Sequence, residues 1–282
     1  MTGMVEGSST LLFTFKRFTL SFDTTERRKE PSLRDSLKVW GRKAGLMTVR
    51  HVVALGGSLL RPEEAEQRTS WFGQLRQLAV HLEGNDRRLG IVVGGGLPAR
   101  EGIELAKTMI SDAARLDEVG IAATRLNATI VQQIFLDIGC DVAPTIPSTT
   151  SEASALLDKH HLVVMGGTQP GHTTDAVAVA FARDAGASHC IIATNVSHVF
   201  DKDPRNHDDA QSFSSMNYDQ LSAITGIGEP LSPGASAVID PIAVGWAKNA
   251  GLRLAVLDGR KIEILEQALD GKPFEGTLIQ GA

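Results

Sequence analysis

Four short stretches of this chain have the composition needed to hold phosphoryl groups. They are Gly56-Gly57-Ser58, Gly94-Gly95-Gly96 running on to Arg100, Gly166-Gly167-Thr168 running through Gln169, Pro170, Gly171 and His172 to Thr173, Thr174 and Asp175, and Thr194-Asn195. Each follows an apolar run. Glycine turns the backbone with no Cβ in the way, so that amides approach an anion closely. Thr168, Thr173 and Thr174 add hydroxyl donors beside the amides left free where a helix begins. Arg100 brings a guanidinium suited to a phosphate at the same place. A single glycine turn would signify a tight strand-to-helix connection and nothing more; recurrence in one chain implies a ligand with several phosphates.

The elements that must position these turns follow from the surrounding pattern. Val52 to Leu55 predicts a strand before the first turn, and the spacing of Trp71, Leu75, Leu78 and Leu82 predicts the helix after it. Leu89 to Val93 predicts a second strand leading to a helix through Ala106, with Pro98 in the first turn, where its missing N–H does no harm. Asp117 to Phe135 reads as a helix with Asp117 and Glu118 near its start, a position that favours carboxylates, and with Ile121, Leu126, Ile130 and Ile134 toward the core. Asp141 to Pro147 reads as a strand and Ser148 to Lys159 as a helix. Leu162 to Met165, Cys190 to Thr194, Leu254 to Leu257 and Thr277 to Ile279 read as strands, and Gly259 to Leu269 as a helix. Strands alternating with helices imply an α/β fold, a mainly parallel sheet covered on both faces. In such a sheet the loops at the strands' carboxyl ends gather along one edge, which would bring the four stretches together.

Composition narrows the partners. A formal net charge of -5 gives no electrostatic reason to expect a nucleic-acid polymer. No apolar run approaches the roughly 18 residues of a membrane span, and the N-terminus lacks the pattern of a signal peptide. Cys140 and Cys190 stand alone without a CxxC and read as reduced core thiols, so the chain reads as cytoplasmic with no membrane partner. GxxxxGK[ST], the HRD and DFG pair and GxSxG are absent, and no GxGxxG follows the first strand. The adjacent pair His160-His161 reads as solvated, and no protein metal-ligand set is assigned. Residues 1–46 differ from the rest: they are basic between Arg27 and Lys43, with one alternating patch from Leu11 to Phe22. They read as a disordered or non-essential extension, either genuine or produced by an upstream start, ahead of a domain spanning 47–282.

Together GGS, GGGxxAR, GGTxPGHTTDAVA and ATNVxxVxxxDP resemble the amino acid kinase superfamily, and within it the archaeal-type uridylate kinases, from Val52 to the C-terminus. The resemblance implies a three-layer α/β/α sandwich with a central mainly parallel sheet, an acceptor-binding lobe at about 47–165 and an ATP-binding lobe at about 166–282. It implies transfer of the γ-phosphoryl group of ATP to UMP, giving UDP and ADP, in pyrimidine nucleotide biosynthesis. On that basis Gly57 and Ser58 approach the transferring phosphate, Gly95 touches UMP, and Gly96 and Arg100 lie where acceptor and donor phosphates meet. Asp117 accepts from the acceptor ribose. Thr168, Gln169, Pro170, Gly171, His172, Thr173 and Thr174 wrap the UMP, and Thr194, Asn195, Phe200 and Asp203 line the ATP side. Mg2+ is implied with ATP, and Asp175 is the carboxylate to test as its ligand, with helix capping an equal explanation. A homohexamer is implied as well. The absence of a catalytic base fits this chemistry, because a nucleoside monophosphate is already an anionic nucleophile and needs alignment and charge neutralisation. Departures from the family pattern fall mainly on the donor side, at Ser197-His198, Phe200 and Gly245, and the lysine that many superfamily kinases carry in the first strand or turn is missing at Val53, Ala54 and Leu55. A different small acceptor, or nucleotide binding without turnover, are the alternatives these residues leave open.

Overall fold

Side chains alternate in and out along every long strand, so each strand feeds two cores, and helices on both sides are needed to close them. The computed structural model describes residues 48–60, 65–204, 206–225 and 238–281. The extension expected over residues 1–46, with its alternating patch, lies outside the described residues. In chain order the elements are β1 (Arg50–Leu55), α1 (Ala65–Gly84), β2 (Arg88–Val93), α2 (Gly96–Lys107), α3 (Ala113–Asp137), α4 (Thr150–Leu157), β3 (Leu162–Met165), α5 (Thr174–Asp184), β4 (His189–Thr194), β5 (Val199–Phe200), β6 (Ser212–Phe213), β7 (Ser215–Asn217), α6 (Tyr218–Thr225), α7 (Pro241–Ala250), β8 (Arg253–Asp258), α8 (Ile262–Leu269) and β9 (Thr277–Gln280).

Seven strands form one sheet in the order β3-β2-β1-β4-β8-β9-β7, and β5 pairs with β6 separately. The first five in that order are parallel, while β9 runs antiparallel to β8. Val52, Ala54, Cys190, Ile192, Leu254 and Val256 pack on one face against α5, α6 and α7. Their neighbours Val53, Leu55, Ile191, Ala193, Ala255 and Leu257 pack on the other against α1 and α8, where α3 also lies. The fold is therefore the expected three-layer α/β/α sandwich. Each fully buried Leu, Ile or Val of these cores contributes about 1.5–3 kcal/mol. Gly90 of β2 makes room for the ring of Phe181 on α5; a Cβ there would fall 2.3 Å from the ring.

From β1 the chain steps outward through β2 to β3, then crosses back through α5 to β4 on the other side of β1. The reversal places the topological switch point at the carboxyl ends of β1 and β4, where open α/β sheets bind ligands. Among the described residues no helix is long and apolar enough to cross a membrane. Both cysteines are free and buried.

Three expectations about elements need correction. α3 begins at Ala113, with Asp112 accepting from the amides of Ala114 and Arg115, so Asp117 and Glu118 lie beyond the cap. Its buried face is Asn127, Ala128, Val131, Gln132 and Phe135, whereas Leu126 is exposed. Asp141 to Pro147 forms no strand: a single bridge, Val142 to Leu162, is all that pairs, because Pro144 and Pro147 bring no N–H to a ladder. Finally α8 starts at Ile262, leaving Gly259 in the turn before it.

Candidate active site

The glycine turns meet along one rim. The Gly56 amide donates to the Ala193 carbonyl at 2.9 Å, which ties the turn after β1 to the end of β4, and the Gly94 amide donates to the Leu55 carbonyl at 2.9 Å, which ties it to the turn after β2. Gly57 packs backbone on backbone against the second turn: a Cβ on it would lie 2.4 Å from both the Gly94 oxygen and the Gly96 nitrogen. Gly96 itself has φ +57, a conformation that favours glycine. The first use of these glycines is thus to let two turns touch. The third turn joins through Thr174, whose hydroxyl lies 3.2 Å from where a Gly94 Cβ would be. Thr194 completes the rim, its carbonyl accepting from the Gly259 amide at 2.8 Å.

The positive ends of helices point at this rim. α2 begins at Gly96 directly after the glycine triplet, and α5 begins after Thr173, whose hydroxyl caps it by accepting from the Ala176 amide. Such starts leave amide donors free and favour anions. Arg100, on the second turn of α2, is exposed and forms no ion pair among the described residues. Ser58 is exposed beside Gly57.

The remaining expected residues fall into three groups. Asp117 and the loop after β3 meet: the Asp117 carboxylate accepts from the Gly171 amide at 2.8 Å. Thr168, Gln169 and His172 line a cleft of about 330 Å³ whose other walls include Ser148, Thr149, Thr150, Arg183 and Trp246. Within it the Gln169 amide and the His172 ring are 2.9 Å apart, and the His172 and Trp246 rings meet edge to face at 5.2 Å. Pro170 is half-buried at the top of the loop. On the donor side Asn195 is exposed, Phe200 stands in the β5–β6 pair with its ring 6.3 Å from that of His198, and Asp203 accepts from the Asn206 side chain at 3.2 Å.

Asp175 is half-buried in the first turn of α5. Burial pushes its carboxyl up to about 6; the Asp240 amide, donating at 3.3 Å, works against this, and the Asp240 charge adds to it. Asp240 is 4% exposed, caps α7 by accepting from the Ile242 amide at 2.9 Å and accepts from the Thr173 hydroxyl. Neither carboxylate is in an ion pair among the described residues. Two such carboxylates suit a hard divalent cation that takes its remaining ligands from phosphates and water. The His160-His161 pair, expected to be solvated, is instead bound to the fold: His160 lies 2.7 Å from Asp141, and the His161 ring 3.1 Å from the Arg87 carbonyl.

Several residues that hold the site escaped sequence reasoning. Asn127 of α3 is fully buried and donates to both the Gly94 and Gly95 carbonyls. Thr124, one turn earlier, accepts from the Gly167 amide at 2.6 Å. Asp240 links α7 to the loop after β3. The signal that was present, two polar residues on one helix face, conflicts with a period-based search for apolar positions.

Residues 50–258 match the amino acid kinase family. A uridylate kinase of Methanocaldococcus jannaschii is 35% identical over 233 residues, covering 83% of this chain and all of that protein. A uridylate kinase of Halorubrum lacusprofundi is 37% identical over 229 residues, covering 81% of this chain and 92% of its own length. The crystal structure of a uridylate kinase from Archaeoglobus fulgidus superposes with a TM-score of 0.68 at 33% identity, covering 81% of this chain and 99% of that one. A domain match spanning most of the chain and near-complete coverage of these relatives leave one conclusion: the chain belongs to the amino acid kinase family, in its archaeal-type uridylate kinase branch.

Proposed function

We propose that this protein transfers the γ-phosphoryl group of ATP to UMP, giving ADP and UDP, a step of pyrimidine nucleotide synthesis. The observation that carries this reading is the rim itself, where glycine turns after β1, β2 and β3 and the end of β4 adjoin one another beside helix starts and an Arg100 with no ionic partner among the described residues. In this reading the acceptor half is about residues 47–165 and the donor half about 166–282, with the loop Gly167 to Thr174 reaching back over the acceptor. Gly95 and Asp117 hold UMP, and Gly57, Ser58, Gly96 and Arg100 hold the phosphates between the two nucleotides. Thr194, Asn195, Phe200 and Asp203 hold ATP.

UMP brings its own nucleophilic oxygen, so the protein's work is to align two anions in line and to offset their charge. Amides of the glycine turns stabilise the equatorial oxygens, and Arg100 adds a charge-assisted donor whose effect grows as water leaves. Asp175, with Asp240 behind it, is suited to hold Mg2+ directly or through water; the ion would neutralise charge on the donor phosphates. A homohexamer in the cytoplasm is the assembly and location the family likeness supports. Exposed Leu97, Leu105 and Met109, carried on or just after a helix that buries none of its residues, favour assembly over a monomer.

ADP release with magnesium ATP, measured across UMP, CMP, dUMP and acetylglutamate, tests the reading. Release that depends on UMP is the expected result. Turnover of acetylglutamate without UMP, or nucleotide binding with no ADP formed, would replace it.

A further inference from the structure

We infer that Asn127 is a positioning residue that sets which way the amides of Gly95 and Gly96 point, and so makes the turn after β2 an anion cradle. The inference rests on the reading of that turn as a phosphate site and adds the group that holds it in shape.

The geometry is direct. Asn127 sits in the middle of α3 with no exposed surface. Its side-chain nitrogen donates to the Gly94 carbonyl at 2.8 Å and to the Gly95 carbonyl at 2.9 Å. Both partners are acceptors, so the nitrogen end of the amide must face them. Two consecutive carbonyls are therefore turned inward toward α3. In a trans peptide the C=O and the following N–H point in opposite directions, and no peptide here is cis. Fixing the Gly94 carbonyl inward turns the Gly95 N–H outward, and fixing the Gly95 carbonyl inward turns the Gly96 N–H outward. Neither amide donates to another group among the described residues. Successive N–H groups facing the same way form an anion-binding concavity.

Glycine alone would not hold this arrangement. Three adjacent glycines sample many peptide orientations, including those that present carbonyl oxygens to a phosphate. A buried amide with two donors selects one orientation, and it does so from a helix that also fixes the neighbouring turn through Thr124 and the Gly167 amide. The acceptor's phosphate then meets donors already in place, with no cost of ordering them.

The test separates the phosphate from the rest of the acceptor by measuring the affinity for UMP against that for uridine. Asn127→Ser removes both donors and leaves room for water; Asn127→Asp keeps the shape and removes the donors. Thermal unfolding is followed in each, and where one variant fails to fold the other carries the test. The expected result is a fall of at least about tenfold in UMP affinity relative to uridine, with a matching fall in kcat/KM. A general structural role would instead lower both affinities together. Arg100→Ala serves as the control for the phosphate site. If it lowers the UMP-to-uridine ratio and the Asn127 variants do not, the positioning role is overturned while the phosphate site stands. Should Arg100→Ala leave that ratio unchanged as well, both readings fall.

Discussion

The two edges of the sheet use the same residue types for opposite ends. At the carboxyl edge lie the glycine turns, the starts of α2 and α5, and Arg100 with no ionic partner among the described residues. At the amino edge three arginines each donate to the carbonyl of a helix end. Arg50 donates to the carbonyl of Ala185, the C-cap of α5, and pairs with Asp158, the C-cap of α4. Arg88 donates to the Leu157 carbonyl at the end of α4, and Arg87 to the Leu269 carbonyl at the end of α8. In a parallel α/β layer every helix that follows a strand begins at one edge and ends at the other, so one edge collects free amides and the other free carbonyls. The arginines of the amino edge satisfy carbonyls and belong to stability. Arg100 lies on the second turn of α2, the helix that starts at the glycine triplet, and in the proposed function its partner is an anionic ligand.

This difference can be broken at either edge. The largest effect expected is at Arg100: Arg100→Ala loses about a hundredfold or more in turnover while the unfolding temperature stays within error, as read by ADP release and calorimetry. Loss of stability in place of turnover would make the two edges alike.

At the amino edge His51 gives the next effect. It is 5% exposed, neither ring nitrogen has a hydrogen-bond partner among the described residues, and burial first, then the charges of His189 and Arg87, lower its pKa from 6.5 to about 4. The folded state resists a proton that the unfolded chain accepts, so stability is full above pH 6.5 and declines as pH falls toward 4, by about 3 kcal/mol in total. Denaturant melts from pH 7.5 to 4 should show this decline in the wild type and less of it in His51→Leu. An identical pH profile in both would remove His51 from the account.

Gly57→Ala tests the contact between turns. Its Cβ would meet backbone at 2.4 Å, so one turn must move, and kcat/KM for UMP should fall by about tenfold. The smallest effect is Arg88→Ala, which leaves a helix-end carbonyl without its donor and should cost about 1 kcal/mol of stability with kcat unchanged.

The same contrast explains what the sequence reveals. Strands stand out because every second residue must be apolar on each face, and glycine turns stand out because they end three apolar runs in one chain. Arg100 resembles Arg50, Arg87 and Arg88 until topology assigns each to an edge. α3 was misphased because its buried face contains Asn127 and Gln132, whose amides are consumed by the carbonyls of Gly94, Gly95 and Ala143, a relation between residues far apart in the chain. Asp240 was missed for the same reason: its partners Thr173 and Asp175 lie across the fold. Residues that act alone are legible in order along the chain, whereas residues that brace another segment are not.

Site-resolved amide hydrogen exchange, with and without UMP and magnesium ADP, probes the location of the chemistry most directly. The account predicts that protection gained on binding concentrates at Gly57, Ser58, Gly95, Gly96 and Thr194, with the amino edge around His51 and Arg88 unchanged. Protection confined to the cleft walled by Thr149, Arg183 and Trp246, with the glycine turns exchanging as before, would contradict it.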